Sequence, residues 1–252
     1  MENFSRKIEN LLQNKFPTSQ RFLRDMESVL KDDFEKEENQ VVYDVYRDLG
    51  FMEDRDVVEK LGLYYDITVL HRENLKSELP KTFGHYHKYG GIEISESVSG
   101  TGWWLMQKYT RSPDMIEEVY LVKAEPNEKV IYPPGFGHII INPNPDEDLI
   151  NSNWRNPETE SDYSQIASLG GFCYYVTRNE NGKIEFIKNE NYKKVPELII
   201  LKPKEIPELG ITFDKPLYEL FRTPKSLDIL KKTKHYEGFL TISGCFNRVH
   251  ED

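Results

Sequence analysis

His85-Tyr86-His87, Glu93 after five further residues, and His138 behind Pro133-Pro134-Gly135-Phe136-Gly137 look like a four-ligand metal site drawn from two separated segments. A fold that uses them must close those segments onto one point. On a strand, residues two apart project to the same face, so His85 and His87 offer two imidazole nitrogens to one spot while Tyr86 faces away. If Gly90-Gly91 reverses the chain, Glu93 comes opposite the pair and adds a carboxylate oxygen. His138 brings the fourth ligand from the strand after the Pro-x-Gly turn. Each fragment alone has an ordinary explanation, a chance His-x-His or a plain turn. Their joint occurrence, with Gly100 seven residues past Glu93, argues for metal. Three histidines and one carboxylate suit one divalent Fe, Mn, Ni, Co or Zn ion per chain, and spacing does not choose among them.

The runs Tyr64-Tyr65-Asp66-Ile67-Thr68-Val69-Leu70, 103–109 and 118–122 are short, aromatic or β-branched, and separated by turn residues. That is the rhythm of an antiparallel β-sandwich or barrel. Gly90-Gly91 and Ser99-Gly100-Thr101-Gly102 predict a three-stranded meander over residues 82–109. Asn181-Gly182 predicts a hairpin between 172–176 and 184–187, and the β-rich part is expected to end near residue 188. Ahead of it, Phe22, Met26, Val29 and Leu30, then Val41, Val45, Tyr46 and Leu49, fall at helical spacing and predict two amphipathic helices. Beyond Lys193, prolines interrupt any pattern, and a last helix is expected at Thr223 as N-cap with Pro224. The chain thus divides into an N-terminal helical extension (1–62), a β-barrel (63–190) and a C-terminal extension (191–252). Of the adjacent Trp103 and Trp104, one is expected inside the barrel and the other against an extension or a second subunit.

A formal net charge of −10, with 30% charged residues over 252, disfavours nucleic acid as a partner, which needs cationic neutralisation of phosphates. Cys173 and Cys245 lack paired spacing, which predicts free thiols and a cytoplasmic protein. The N-terminus lacks the basic and apolar blocks of a signal peptide, and no run is long and apolar enough to span a membrane.

The motifs His85-x-His87-x5-Glu93-x6-Gly100 and Pro133-x-Gly135-x2-His138-x3-Asn142 resemble the two signatures of the cupin superfamily. The resemblance implies a mainly β fold, a double-stranded β-helix (jelly-roll) barrel with the metal inside. One position departs: the glycine that opens the second motif is replaced near Asn127. More narrowly, Thr82-Phe83-Gly84-His85-Tyr86-His87, Gly100-x-Gly102, Gln107, Tyr132-Pro133-Pro134, Asp162-Tyr163-Ser164-x-Ile166 and Gly171-Phe172 resemble the cupin-type glucose-6-phosphate isomerases, over about residues 40–190. That resemblance implies that Thr68, Thr82, Gly84 and Tyr163 contact a phosphorylated hexose, the threonines and the glycine around its phosphate, with Tyr46 as a further candidate. It also implies a homodimer. Ser95, Ser161 and Arg155 stand where the family has a tyrosine, a histidine and an aromatic residue.

Aldose-ketose isomerisation through an enediolate needs a base, and Glu93 is the expected catalytic residue. Lys81, Lys88 and Arg155 can add positive potential but are expected as solvated surface charges. Two alternatives share the ligands: a sugar-phosphate sensor without catalysis, and an Fe(II) oxygenase, against which the threonine-glycine cradle argues.

Overall fold

The computed structural model describes residues 2–33 and 39–249. Helix α1 (Glu2–Gln13) leads into β1 (Ser19–Phe22) and β2 (Val41–Tyr46), then helix α2 (Arg55–Leu61) and β3 (Tyr64–Leu70). The histidine pair lies at β4 (Tyr86–His87), followed by β5 (Glu93–Ser99), β6 (Gly102–Tyr109), β7 (Ile116–Ala124), β8 (Lys129–Ile131) and β9 (Gly137–Ile141). Next come β10 (Leu149–Arg155), β11 (Ser161–Asp162), helix α3 (Ser164–Ser168), and β12 (Tyr174–Arg178) with β13 (Ile184–Lys188). The chain ends with β14 (Ile199–Pro203), short helices α4 (Pro224–Leu227) and α5 (Ile242–Cys245), and β15 (Phe246–Arg248).

The fold is mainly β. A six-stranded sheet runs β1-β2-β3-β10-β5-β8 and a five-stranded sheet β15-β14-β7-β6-β9, so the jelly roll is built as two hydrogen-bonded layers. Both sheets contribute to one hydrophobic core cluster, in which Ile67, Ile94, Trp104, Leu121 and Trp154 are fully buried. Among the described residues no helix is long and apolar enough to cross a membrane.

Several expectations from the sequence are corrected. Residues 19–30 form β1 and a 3-10 helix over Leu23–Val29, not an amphipathic α-helix. The buried residues Leu23, Met26 and Val29 lie three apart, the repeat of a 3-10 helix rather than of a 3.6-residue turn. The segment around Val41 is strand β2, because Val-Val-Tyr-Asp-Val-Tyr is β-branched and aromatic and finds partners in β1 and β3. The meander over 82–109 does not form. β5 already has β10 and β8 on its two edges and β6 has β7 and β9, so Gly100 (φ +82°) turns the chain from one sheet to the other. The β-rich part also runs past residue 188, since β14 pairs in parallel with β7 and carries β15 on its far side.

Other expectations hold. β12 and β13 form the hairpin, with Gly182 at φ +78°. Pro224 opens α4 behind Thr223. Trp104 is buried while Trp103 stacks on Phe186 of the hairpin, centroids 6.2 Å apart. Both cysteines are free and buried. Asn127, at the departed glycine position, has φ +71°, a left-handed conformation that asparagine tolerates better than most residues.

Candidate metal centre

The sheet register assembles one wall of a cavity. Val45 lies opposite Thr68, which lies opposite Asn151, which lies opposite Ser97; one step along, Asp66 faces Asn153 and Asn153 faces Ser95; one further, Arg155 faces Glu93. Alternate residues of a strand share a face, so Glu93 and Ser95, Asn151, Asn153 and Arg155, and Tyr43, Val45 and Arg47 all reach one space of about 290 Å³. The other sheet contributes His138 and Ile140 from β9, and Thr82, Gly84 and His85 line it from the segment before β4.

His85 and His138 exchange backbone hydrogen bonds, 3.3 Å from His85 N to His138 O and 3.1 Å in return, which brings the two sequence segments together. The ring nitrogens of His85, His87 and His138 offer one ligand atom each, all within 4.8 Å of one another. His85 Nε2 lies 3.1 Å from His87 Nε2, and His87 Nε2 lies 3.3 Å from Glu93 Oε1. His87 Nδ1 donates to Gly91 O at 3.1 Å, which fixes the ring with Nε2 toward the cluster. The His138 ring stacks on Tyr132 at 3.8 Å between centroids, and its Nδ1 is buried with no hydrogen-bond partner.

The electrostatics suit a cation. Desolvation first, and then His87, push His85 down to about 3. Desolvation, with His85 and His87 beside it, likewise holds His138 well below the ordinary imidazole value. Both rings are therefore neutral with lone pairs free. Burial works to raise Glu93, but His87, His85 and Arg155 outweigh it and hold the carboxyl at about 2, ionised. Neutral imidazoles beside a carboxylate, one of them with an unpartnered buried nitrogen, fit a divalent transition metal.

Of the residues singled out from the sequence, Thr68, Thr82, Gly84, His85, Glu93, Tyr163 and His138 all line this cavity. Thr82 Oγ1 accepts from Ile140 N at 3.0 Å, leaving its hydroxyl hydrogen available. Gly84 has φ +82°, and a Cβ there would overlap Ile139 and come within 2.5 Å of Phe172. Tyr163 packs against His85 with centroids 5.3 Å apart. Tyr46 is not in the cavity: it alternates with Val45 and Arg47 and lines a groove on the other side of the sheet with Asp44 and Asp148. Tyr86 does face away from the histidine cluster, its hydroxyl accepting from Gln107 Nε2 at 3.0 Å.

Lys81 is not a surface charge. It is buried, with its ammonium on Glu78 and on Val29 O, because a hydrogen-bonded partner offsets the cost of burying it. Lys88 does sit at the surface, paired with Glu160. Arg155 is mostly buried at the cavity, ion-paired to Asp66. Sequence reasoning passed over Tyr43, Arg47, Asn151 and Asn153, although Asn151-x-Asn153-x-Arg155 alternates polar side chains through a strand whose other residues are apolar or small. Asn153 Nδ2 donates to Glu93 Oε2 at 3.3 Å.

A family model for glucose-6-phosphate isomerase (GPI) matches residues 17–194. No curated protein matches the chain. Among solved structures it is similar to vicilin from Corylus avellana (hazelnut), at 14% identity and a TM-score of 0.35, covering 57% of this chain and 31% of that one. It is also similar to an oxalate oxidase in complex with the substrate analogue glycolate, at 14% identity and a TM-score of 0.33, covering 41% and 47%. Vicilin from Solanum lycopersicum (tomato) matches at 9% identity and a TM-score of 0.36, covering 61% and 33%. The chain thus spans less than half the length of these structures.

Proposed function

The chain belongs to the cupin-type glucose-6-phosphate isomerase family, and from this premise we propose that it interconverts glucose 6-phosphate and fructose 6-phosphate in a metal-dependent reaction. The observation that carries the reading is that His85, His138 and Glu93 line one cavity with Thr68, Thr82, Gly84 and Tyr163, and that His87 clusters with those two histidines and Glu93. His85, His87, His138 and Glu93 would hold one divalent ion, which when bound supplies Lewis-acid stabilisation for the negative charge of an enediolate.

The chain's own residues do the rest. Isomerisation moves a proton from C2 to C1 of the open-chain sugar and another from O2 to O1. Glu93, ionised and hydrogen-bonded by Asn153, takes the C2 proton and returns it to C1. The Thr68 and Thr82 hydroxyls and the Gly84 backbone, turned by its positive φ, meet the phosphate, and Tyr163 lines the cavity beside His85. The same reading carries a cytoplasmic place in glycolysis and gluconeogenesis and a homodimeric assembly.

Glu93→Gln is expected to keep the fold and lower turnover at least about a hundredfold in a coupled assay of metal-reloaded protein. Unchanged activity in that variant would remove Glu93 from the mechanism. A second reading, a sugar-phosphate sensor, is favoured by the small hydroxyls of Ser95 and Ser161 where the family carries larger groups, both lining the cavity. Binding of glucose 6-phosphate without turnover at any metal loading would select it.

A further inference from the structure

The full positive charges that line the cavity belong to Arg47 and Arg155. Both guanidiniums converge on one buried carboxylate: Arg47 Nη1 and Arg155 Nε each lie 2.6 Å from Asp66 Oδ2. Asp48 N donates to Asp66 Oδ1 at 2.8 Å, so both carboxylate oxygens are engaged. Asp66 is only 1% exposed, whereas Arg47 and Arg155 are 44% and 18% exposed. Arg155 also lies over the Tyr64 ring, 5.0 Å from its centroid, which holds its plane.

One carboxylate offsets one guanidinium, so the trio itself carries a surplus positive charge; Glu93, which faces Arg155 and lines the same cavity, opposes it unless a bound cation neutralises that carboxylate. Each guanidinium spends one nitrogen on Asp66 and makes no other hydrogen bond among the described residues, which leaves the rest of each planar fork open for an oxyanion. The register sets the trio beside the threonine: Asp66 and Thr68 share a face of β3, and Arg47 follows Val45, the partner of Thr68. Thr68, Thr82 and Gly84 offer neutral donors alone. A phosphate monoester carries about 1.5 to 2 negative charges at neutral pH, and enclosing it against neutral donors leaves that charge uncompensated. Arg155 is also a position at which this chain departs from its family's pattern, and the small Ser95 and Ser161, the other departures, line the same cavity.

We propose that Arg47 and Arg155, positioned by Asp66, form the charged half of an anion subsite for a phosphate monoester, with Thr68, Thr82 and Gly84 as its neutral half. Asp66 is a positioning residue: it touches no ligand and fixes the direction of both forks. Only the choice of a phosphosugar as ligand rests on the function proposed above; the subsite itself rests on the geometry of the three side chains.

The test is calorimetric titration of inorganic phosphate into the full-length protein, metal-stripped and Mn2+-loaded. Arg47→Gln and Arg155→Gln are each expected to weaken binding at least about tenfold, the scale of a lost charge-assisted hydrogen bond, and to flatten its dependence on salt. Asp66→Asn keeps both positive charges, so the salt dependence persists while affinity falls and, in turnover, KM rises more than kcat drops. Thermal melts by circular dichroism identify any variant that fails to fold; Arg155→Lys, which keeps the charge without the fork, then takes its place and is expected to bind more weakly than the parent. Undiminished phosphate affinity in folded variants of both arginines overturns the proposal, as does the absence of phosphate binding to the parent protein. Arginine-dependent phosphate binding without isomerase turnover supports the subsite and overturns the isomerase reading, so the two failures are distinguishable.

Discussion

At the scale of single residues, position in the cavity and ability to pair decide what each charged or polar group does. His85 and His138 are kept neutral chiefly by desolvation, and a neutral imidazole is the form that ligates. His85→Ala and His138→Ala are each expected to reduce bound metal in elemental analysis of purified protein; one full equivalent retained by both would place the ligands elsewhere. Lys129 shows the same physics without a ligand. It is buried 3.0 Å from Glu96 and donates to Asn127 O at 2.7 Å. Lys129→Met leaves Glu96 without its cation and is expected to cost about 3–5 kcal/mol in denaturant unfolding; a loss below about 1 kcal/mol would mean that Glu96 finds other compensation. Residue identity alone announced the histidines, whereas Lys81 and Arg155 read as surface charges. Nothing in the order of residues shows that Glu78 and Asp66 wait for them in the interior.

At the scale of elements, strands were legible where alternation and β-branching agreed, as in β3, β6 and β7, and misread where a short strand also satisfied helical spacing, as in β2. The meander failed for a different reason: which strand fills a given edge is a long-range choice that turn residues do not encode. Glycines matter here through close approach. Gly137 of β9 lies under the Tyr86 ring, and a Cβ there would come within 2.7 Å of it. Tyr86 joins the two histidines, and its hydroxyl is anchored by Gln107. Gly137→Ala is therefore expected to push Tyr86 off that anchor, shift His85 and His87, and weaken metal binding at least several-fold while far-ultraviolet circular dichroism stays that of a β protein. Unaltered metal affinity would show that the two strands separate without disturbing the ligands.

At the scale of the whole molecule, the family match ends at residue 194 but the folded unit does not. β14 covers the edge of β7, Trp154 Nε1 donates to Leu217 O at 2.9 Å, and Leu217 N donates to Glu96 Oε2 at 2.9 Å. Tyr218 packs among Tyr65, Phe51 and Trp154. A chain truncated after residue 194 would bare this aromatic cluster, a β edge and a buried ion pair together. It is expected to aggregate or lose its cooperative thermal transition in size-exclusion and melting experiments; a monodisperse truncated chain with a sharp melt would show that the tail is an accessory.

The sequence by itself determined the candidate metal-ligating residues, the β character of the middle of the chain and the family, because these follow from short spacings and local conformational preference. Only the tertiary structure decided which side chains join the ligands. The arginine pair on Asp66, the Asn153 contact to Glu93, the exclusion of Tyr46 and the strands supplied by both ends of the chain all depend on pairing between segments far apart. Such pairing is set by the competition of every strand for every edge and by burial, which no local window contains.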